Sequence, residues 1–454
     1  MEERLCHGCL VLRRRVQELE ADKQRLLQLL ETERRAGKRQ AAPFSKGFLK
    51  KKRAKPGRKG GDDYGAKGHR LPPPPERIDE IHEAPLPDAC PDCGGPVEET
   101  DVQQQYQVEI PRKPIHRQFN VHIGRCSECH GRLQGRHPLQ TSDALGAAAA
   151  QLGPDAQAAV VELNKNAGLS HGKVSGVLGN LFGIPLTRGG VAHVVLRAGR
   201  RCQPIYQAIC RSVRRSAWVV PDETGWRVGG LLAWLHGFVA AKATAYVIDP
   251  TRSHEPAERL LSLDYSGTLI HDGWAPYDRF VCARHQQCNQ HILRRCDELL
   301  QSATRAAVRF PRRVAALLRQ GLALRDRYAA GEVSAHGLAV ARARLQHCLE
   351  QTVYPSKTDA ANERLAQHLW QHIDHFFTFL HVPGVDATNW RAELAMRFGV
   401  ILRKVWGGNR TWAGADAQAV LMSIWRTCWQ RGVNALDFVS DRLRRRAIPA
   451  ALPP

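Results

Sequence analysis

Apolar residues in the middle of the chain form short runs that are typical of buried β-strands. Runs at 218–220, 231–239 and 244–248 follow one another, separated by turn residues. Residues 255–263 then predict a short helix, and 268–270 predict a fourth strand. Three strands, a helix and another strand are the element order of a ribonuclease H-like fold. The pattern therefore predicts an α/β core of this class.

Two aspartates follow apolar strands of this predicted core. Asp222 belongs to the sequence D-E-T-G-W at 222–226, and Asp272 begins the sequence D-G-W at 272–274. Carboxylates held at strand ends on a rigid sheet suit a site for hard divalent cations. Asp is also a common turn former, and Asp-Gly a common turn dipeptide, so either Asp alone would be explained equally well by a turn. The ordered pair favours the metal site.

Short helices are predicted before the core. Their apolar periodicity places them at 152–164, 170–181 and 187–198. Ser170 and Thr187 are suitable N-caps because their hydroxyls can accept from free backbone N–H groups. The group is interpreted as a helical DNA-binding region, either a helix-turn-helix or another small bundle.

A second helical pattern follows the strand that carries Asp272. Between 296 and 380 the chain is rich in Arg and poor in strand-like runs. We interpret it as a helical insertion in the core. Its Arg-rich tract at 305–313 would either line a DNA channel or form a solvated face. Arg294 and Arg295, just before it, would contact phosphates or complement a helix end.

A heptad pattern occupies the first 36 residues. Its core positions are Leu5, Leu12, Leu19 and Leu26, alternating with Cys9, Val16, Lys23 and Leu30. The pattern predicts a leucine zipper-like coiled coil between two chains, or else one amphipathic helix packed on its own protein. Cys6 and Cys9 are interpreted as helix residues, with a metal site completed across a dimer as the alternative.

A basic arm follows the heptads. Residues 46–70 hold ten Lys and Arg against two Asp, and they contain too much Gly to fold alone. Such an arm can follow phosphates or enter a minor groove. Its candidate DNA-binding residues are Lys50, Lys51, Lys52, Arg53, Lys55, Arg58 and Lys59.

Two C-x-x-C pairs come next and predict a structural zinc site. The four thiolate ligands would be Cys90, Cys93, Cys126 and Cys129. Each pair lies on a Gly-bearing turn, and two such turns joined by strands form a zinc ribbon-like module. The 32 residues between Cys93 and Cys126 exceed the usual spacing. A hairpin built from strands at 103–110 and 117–123 would account for the excess.

A third group of ligand-type residues is rejected as a metal site. Cys282, His285, Cys288 and His291 recur every three residues. On an α-helix each step of three residues drifts by about 60°, so the last side chain would lie roughly opposite the first.

Composition limits the classes of partner. The formal net charge is +22, which favours a polyanion partner, most simply nucleic acid. A basic protein kept soluble by its charge is the alternative. No run of 18 apolar residues is present, so no membrane span is predicted, and no apolar segment follows the first charges as a secretory signal would require. The 13 cysteines are an odd number with several C-x-x-C pairs, which favours metal binding in a reducing compartment over a disulfide framework.

Metal-dependent phosphoryl transfer needs at least a third carboxylate. Residues 388–397, T-N-W-R-A-E-L-A-M-R, predict a helix that places Asn389, Glu393 and Arg397 on one face. Glu393 is therefore the favoured third acid. Glu298 and Glu363 are the alternatives.

These motifs together resemble a DDE transposase of the bacterial insertion-sequence IS sixty-six family. The resemblance rests on C-P-D-C-G-G, D-E-T-G-W, D-G-W, the Arg pair at 294–295 and the segment at 388–397, which is similar to the family's N-N-x-A-E-x-x-x-R. Arg403 and Lys404 stand where the family has an R-K pair. This sequence departs from the family pattern at Thr388 and Trp390.

The resemblance implies phosphoryl transfer on DNA. Asp222, Asp272 and Glu393 would be the catalytic residues and would hold Mg²⁺ or Mn²⁺. The enzyme would cut element ends and join the freed 3′-hydroxyls to target DNA. Arg397, Arg403 and Lys404 would contact DNA, and the protein would act as a homodimer or higher oligomer. A nuclease without strand transfer and a catalytically silent DNA-binding regulator are the alternatives, and a need for accessory element-encoded proteins is left open.

The expected domain map follows the chain in eight parts. They are a coiled coil at 1–36, a basic arm at 37–77, a zinc module at 78–136, a helical DNA-binding region at 137–215, the first part of the core at 216–296, a helical insertion at 297–380, the last part of the core at 381–440 and a basic tail at 441–454.

Overall fold

The computed structural model describes residues 15–23, 25–27, 73–89, 91, 94–108, 110, 113–146, 150–302, 304–445 and 447–454. The chain divides into two compact units. One comprises residues 46–116 and 181–183, and the other comprises 1–45, 117–180 and 184–454. None of the helices in the described part of the chain has both the length and the apolar character that a membrane span requires.

The smaller unit has little regular structure in its described part. Pro75–Arg77 forms a 3₁₀ turn, and Ala89 pairs with Pro96 in an isolated bridge. The strand predicted at 103–110 is wrong, because its described residues adopt no regular secondary structure. Val108 and Ile110 are 80% and 71% exposed. An alternating pattern does not form a strand where no sheet buries its apolar face.

A short hairpin lies near the start of the larger unit's continuous part. Strand β1, Ile123–Arg125, pairs antiparallel with β2, Arg132–Gln134. The strand predicted at 117–123 is therefore wrong except for its last residue. The hairpin encloses the second C-x-x-C pair and does not link the two pairs as expected.

The N-terminal heptad segment is helical where it is described, at 15–23 and 25–27. Its predicted core residues Val16, Leu19 and Leu26 are 52%, 54% and 64% exposed. Their apolar face is thus uncovered in the single chain, and the coiled coil stays a prediction. The other heptad positions, apart from Lys23, lie outside the described residues.

The helical region before the sheet contains the predicted helices and one more. They are α1 Pro154–Val161, α2 His171–Phe182, α3 Arg188–Arg201 and α4 Gln203–Arg214. Thr187 caps α3 by accepting a hydrogen bond from the backbone N–H of Gly190 at 3.0 Å. After α1 the helix widens into a π-helical turn, Glu162–Asn166. This turn buries Asn164 and Lys165.

A five-stranded mixed sheet forms the centre of the larger unit. Its strands are β3 Trp218–Val228, β4 Leu231–Val239, β5 Thr244–Asp249, β6 Thr268–His271 and β7 Arg284–Gln287. Their spatial order is β5-β4-β3-β6-β7. The first three are antiparallel to one another, whereas β6 runs parallel to β3 and β7 parallel to β6. Helix α5, Glu255–Leu261, makes the crossover from β5 to β6.

The helical pattern after the sheet is confirmed, but it begins earlier than expected. The helices are α6 Asn289–Ser302, α7 Arg309–Ala329, α8 Ala335–Val353 and α9 Ala360–Gln371. Helix α6 crosses the expected boundary between 296 and 297. The segment after these helices contacts β7 through a buried side-chain amide. Gln286 on β7 accepts a hydrogen bond from the backbone N–H of Phe379 at 3.0 Å.

Three last helices cover the sheet and the first helical region. They are α10 Trp390–Trp406, α11 Trp412–Gln430 and α12 Ala435–Arg444. Helix α10 packs on β3 and β4, and α11 packs on β5, α3 and α4. Tyr246 on β5 bonds to two of these helices. Its hydroxyl donates to the Ala395 carbonyl on α10 and its N–H donates to Ser423 Oγ on α11, each at 2.8 Å.

Candidate active site

Asp222 and Asp272 occupy equivalent places relative to two neighbouring parallel strands, with Asp222 within β3 and Asp272 directly after β6. The pairing of β3 with β6 ends at Val219 and Leu269, and each Asp lies three residues farther along its own strand direction. Asp222 does not end its strand as the sequence suggested, since β3 continues to Val228 against β4. The two strands separate where the carboxylates begin, and this leaves both acids at one edge of the sheet.

Glu393 approaches the same edge from α10. It lies in the first turn of that helix and is exposed. The pKa of Asp222 is raised to about 7, mainly by burial and then by the negative charges of Glu223, Asp272 and Glu393. The fold therefore brings the three predicted acids into one electrostatic group, which a fourth carboxylate joins.

That fourth carboxylate, Glu223, was not predicted as a site residue. Its side chain is only 3% exposed. Arg252 donates from Nε and Nη2 to Oε1 at 3.1 and 2.9 Å, and the Tyr277 hydroxyl donates to Oε2 at 3.1 Å. Burial raises the pKa of Glu223 and the Arg252 hydrogen bond lowers it in part. A Glu directly after Asp222 in an apolar strand was the available signal.

Arg252 is itself held between aromatic rings. Its guanidinium carbon lies 4.9 Å from the Trp234 ring centroid and 5.1 Å from that of Trp274. Trp274 belongs to the D-G-W sequence, so this stack links β4 to the loop after β6. Sequence periodicity gave no sign of the contact because it joins side chains far apart in the chain.

The loop after β6 is a tight turn closed by Asp272. Asp272 Oδ1 accepts a hydrogen bond from the Trp274 N–H at 3.0 Å. Gly273 has a φ of +92°, and a Cβ there would lie 2.8 Å from Gln287 Oε1. Glycine is therefore required between Asp272 and Trp274.

A group of five histidines lies close to this loop. Nitrogens of His271, His285 and His375 lie within 4.8 Å of one another, and His368 and His372 are close by. Burial is the main cause that lowers the pKa of His271 well below its usual value and lowers that of His375 to about 3. Their neutral forms therefore dominate at neutral pH. No pattern in the sequence indicated this group.

The single helix assumed for Cys282, His285, Cys288 and His291 is wrong. These residues do not share one helix, since His285 lies on β7, Cys288 follows that strand and His291 lies in α6. Among the described residues, the potential metal-binding group is the three histidines named above, and it includes His285 alone of the earlier four.

The alternative third acids lie elsewhere. Glu298 is exposed on α6. Glu363 caps the turn before α9, where its Oε2 accepts from the Lys357 N–H at 2.7 Å and its Oε1 from Gln367 at 3.0 Å. Neither is among the charges that raise the pKa of Asp222.

The predicted DNA contacts differ in their surroundings. Arg294, Arg397 and Lys404 are exposed. Arg403 is half-buried, and its guanidinium donates to the Gly225 carbonyl and, at 3.5 Å, to Thr224 Oγ1. It therefore braces the D-E-T-G-W segment. Arg295 is half-buried on α6, and the candidates between 50 and 59 lie outside the described residues.

Half of the predicted zinc ligands can be located. Cys126 and Cys129 lie in the turn between β1 and β2, where the Cys126 N–H donates to the Gly131 carbonyl at 2.9 Å. Hydrogen bonds from the backbone of Cys129 and then Glu128 lower the pKa of the Cys126 thiol, which favours the thiolate that zinc requires. Cys90 and Cys93 lie outside the described residues.

Comparison with known proteins identifies the family. Residues 149–417 match the model of the Transposase IS66 family. The comparison with curated proteins finds no match. The matched segment begins just before α1 and contains the whole five-stranded sheet, Asp222, Asp272 and Glu393. Because this match covers more than half of the 454 residues, the chain belongs to the Transposase IS66 family, which supports a transposase role for it.

Proposed function

We propose that the protein is a DDE-type DNA transposase with a ribonuclease H-like core, and that Asp222, Asp272 and Glu393 are its catalytic residues. The element order supports the core assignment, since three strands, a helix and a fourth strand follow one another as the sequence predicts; β7 adds a fifth strand that was not predicted. The observation that carries the proposal is the placement of the three carboxylates. Asp222 and Asp272 each lie three residues beyond the last residues of the β3–β6 pairing, and Glu393 lies in the first turn of α10, which packs on β3.

The donor set fits hard divalent cations. Carboxylate oxygens are ligands that Mg²⁺ and Mn²⁺ accept. Like charges near Asp222 disfavour its ionised form, and a bound cation would reverse that effect. Asp222, Asp272 and Glu393 would hold Mg²⁺ or Mn²⁺. When bound, such ions supply activation of the attacking oxygen and neutralise charge on the leaving oxygen.

The remaining residues of the site orient these ligands. Glu223 connects β3 to two other segments: Arg252, between β5 and α5, donates to its Oε1, and Tyr277, after the Asp272 loop, donates to its Oε2. Arg403 fixes the strand just beyond Asp222 through the Gly225 carbonyl. Rigid placement of this kind is what phosphoryl transfer depends on, since catalysis there rests on positioning and charge stabilisation.

The substrates we propose are two double-stranded DNA segments, the element ends and a target. The protein would cut at the ends and join the 3′-hydroxyls to the target. The net charge of +22 and the basic arm support DNA binding. Pairing of two ends would be served by a homodimer or larger assembly through the N-terminal heptads, with zinc stabilising the module at 78–136. The site of action would be the bacterial cytoplasm and nucleoid.

A strand-transfer assay tests the proposal. The full-length protein is incubated with labelled element ends, Mg²⁺ and a supercoiled target plasmid. Joined products are expected, and they should disappear with Asp222→Asn. Cut ends without joining would instead indicate a nuclease, and a mobility shift without cleavage would indicate a DNA-binding regulator.

A further inference from the structure

Hydrogen bonds connect the catalytic loop to the edge strand through two buried imidazoles. The Gly273 N–H donates to His271 Nδ1 at 3.2 Å. His271 Nε2 lies 3.1 Å from His285 Nδ1, and His285 Nε2 lies 3.1 Å from the Phe280 carbonyl oxygen. His271 is fully buried and His285 is 8% exposed. This row of hydrogen bonds starts at Gly273, the residue directly after Asp272.

The two end groups of this row of hydrogen bonds determine which nitrogen of each imidazole carries the proton. A backbone N–H can only donate, so His271 Nδ1 carries the lone pair and its Nε2 carries the hydrogen. A carbonyl can only accept, so His285 Nε2 carries a hydrogen and its Nδ1 accepts from His271. Each imidazole thus has one tautomer, and each bond has a donor and an acceptor.

A metal ion bound by His271, His285 and His375 is the competing interpretation. It would need the lone pair of His271 at Nε2, and this would place a hydrogen on Nδ1 facing the Gly273 N–H. The rings of His285 and His375 are also stacked, with centroids 4.8 Å apart and planes at 20°. Lone pairs lie in the ring plane, so two stacked rings do not aim at one ion.

We propose that His271 and His285 are positioning residues that hold the Asp272 loop in its ligand geometry. This inference rests on the proposed metal-binding role of Asp272. His271 is also bonded through its backbone, since its carbonyl accepts from the Cys288 N–H at 2.7 Å. The imidazole bond to Gly273 adds the constraint on the far side of Asp272. The two hydrogen bonds therefore hold the residue before Asp272 and the residue after it.

The stacked pair His285 and His375 offers a matched test. His285→Phe and His375→Phe make the same substitution on two neighbouring rings, but only His285 bonds to His271. Mn²⁺ binding to the DNA-free, full-length protein is measured by electron paramagnetic resonance, and folding is followed by thermal melting. We expect His285→Phe to weaken Mn²⁺ binding by about tenfold or more, the scale of outer-shell substitutions. His375→Phe should stay within about twofold of the wild type.

Conservative variants separate positioning from simple stability. His285→Asn places an oxygen near Nδ1 that still accepts from His271, so it should recover part of the lost affinity. His285→Gln keeps a donor near Nε2 for the Phe280 carbonyl but removes the Nδ1 acceptor, and it should bind Mn²⁺ as weakly as His285→Phe. If His285→Phe does not fold, the Asn and Gln variants carry the comparison.

The outcomes distinguish the inference from the function on which it rests. Wild-type Mn²⁺ affinity in both His285→Phe and His285→Gln would overturn the positioning role, provided that Asp222→Asn loses binding. Unchanged binding in Asp222→Asn would instead overturn the proposed metal centre. A tightly bound transition metal in the purified wild type that is lost in His375→Phe would replace the hydrogen-bond chain with a three-histidine metal site.

Discussion

Asp222 lies directly opposite Gly237 in the antiparallel register of β3 and β4. A Cβ on Gly237 would be 2.6 Å from Met396 Sδ. Met396 follows Glu393 by three residues, so the two lie on adjacent turns of one face of α10. The absence of a side chain opposite Asp222, the proposed first acid, therefore lets the helix that carries Glu393 approach the sheet.

Replacing Gly237 by Ala should push α10 away from β4 and move Glu393 out of the carboxylate group. We expect element-end cleavage to fall by about tenfold or more, with an overpacking cost of roughly 1–3 kcal/mol in unfolding free energy. Cleavage in Mg²⁺ and thermal melting measure the two effects. Gly179→Ala is the control, because no atom lies within 4 Å of a Cβ on that helix residue. Wild-type cleavage by Gly237→Ala would show that this close approach does not position Glu393.

The identity of the third acid is tested by Glu→Gln changes, which keep shape and remove charge. Glu393→Gln should lower cleavage by several orders of magnitude, as should Asp222→Asn and Asp272→Asn, while end binding survives because it depends on Lys and Arg contacts. Glu298→Gln and Glu363→Gln are matched controls that should cleave normally. An inactive Glu298→Gln beside an active Glu393→Gln would contradict the assignment.

Local pattern was sufficient for most of the sheet. The run at 231–239 coincides with β4, and the runs at 244–248 and 268–270 miss one residue each of β5 and β6. These strands are apolar on both faces because helices cover the sheet, so their composition alone reveals them. The two Asp residues could be found for the same reason, since each follows such a run.

Strand β7 was not predicted because it is held by buried side-chain amides and not by apolar residues. Its sequence is R-H-Q-Q, and Gln286 and Gln287 are fully buried. Gln286 bonds to the backbone of residues 376 and 379, about 90 positions later. Polar side chains that are satisfied by distant segments leave no periodic signal. The Glu223–Arg252 and His271–His285 contacts were missed for this reason too.

The raised pKa of Asp222 predicts how metal binding depends on pH. In the metal-free protein this carboxyl loses its proton near pH 7. Below that value a cation must displace the proton, so the apparent Mn²⁺ affinity should fall by up to about tenfold per pH unit between pH 7 and 5. Above pH 8 it should level off. Titrations at pH 5.5, 6.5 and 8 check this, and an affinity that is flat across this range would contradict it.

The same shift has a consequence for stability. The folded protein holds the Asp222 proton between the ordinary value of 3.8 and about 7, whereas the unfolded chain has lost it. Without metal, the free energy of unfolding should therefore fall as pH rises through this window. Asp222→Asn removes the titrating group and should be more stable than the wild type at pH 8. Chemical denaturation with and without chelator measures the difference.

The zinc prediction concerns Cys90, Cys93, Cys126 and Cys129. We expect about one tightly bound zinc per chain, by elemental analysis. Cys126→Ser and Cys93→Ser should each abolish it, because a three-thiolate remnant binds far more weakly. Cys282→Ser is the control, since Cys282 is an exposed cysteine outside both pairs. A zinc content that also disappears with Cys9→Ser would add the N-terminal pair to the ligands.

Lys165 predicts a separate dependence of stability on alkaline pH. It is buried in the π-helical turn after α1, donates to Gln418 Oε1 and lies 5.3 Å from the Trp406 ring centroid. Burial lowers its pKa from 10.5 to about 7. Between these values the unfolded chain carries a proton that the folded protein has lost, so the free energy of unfolding should rise with pH. The slope should approach about 1.4 kcal/mol per pH unit.

Lys165→Met removes this titration but leaves the buried Gln418 amide without its partner, so its stability at a single pH does not test the prediction. The test is how the unfolding free energy changes with pH. We expect the difference in unfolding free energy between wild type and Lys165→Met to grow from pH 7 to pH 9 in urea titrations. Lys173→Met on the exposed side of α2 is the matched control and should show no such growth. Parallel pH profiles for wild type and Lys165→Met would mean that Lys165 stays protonated in the folded protein, with Gln418 and Trp406 compensating its burial.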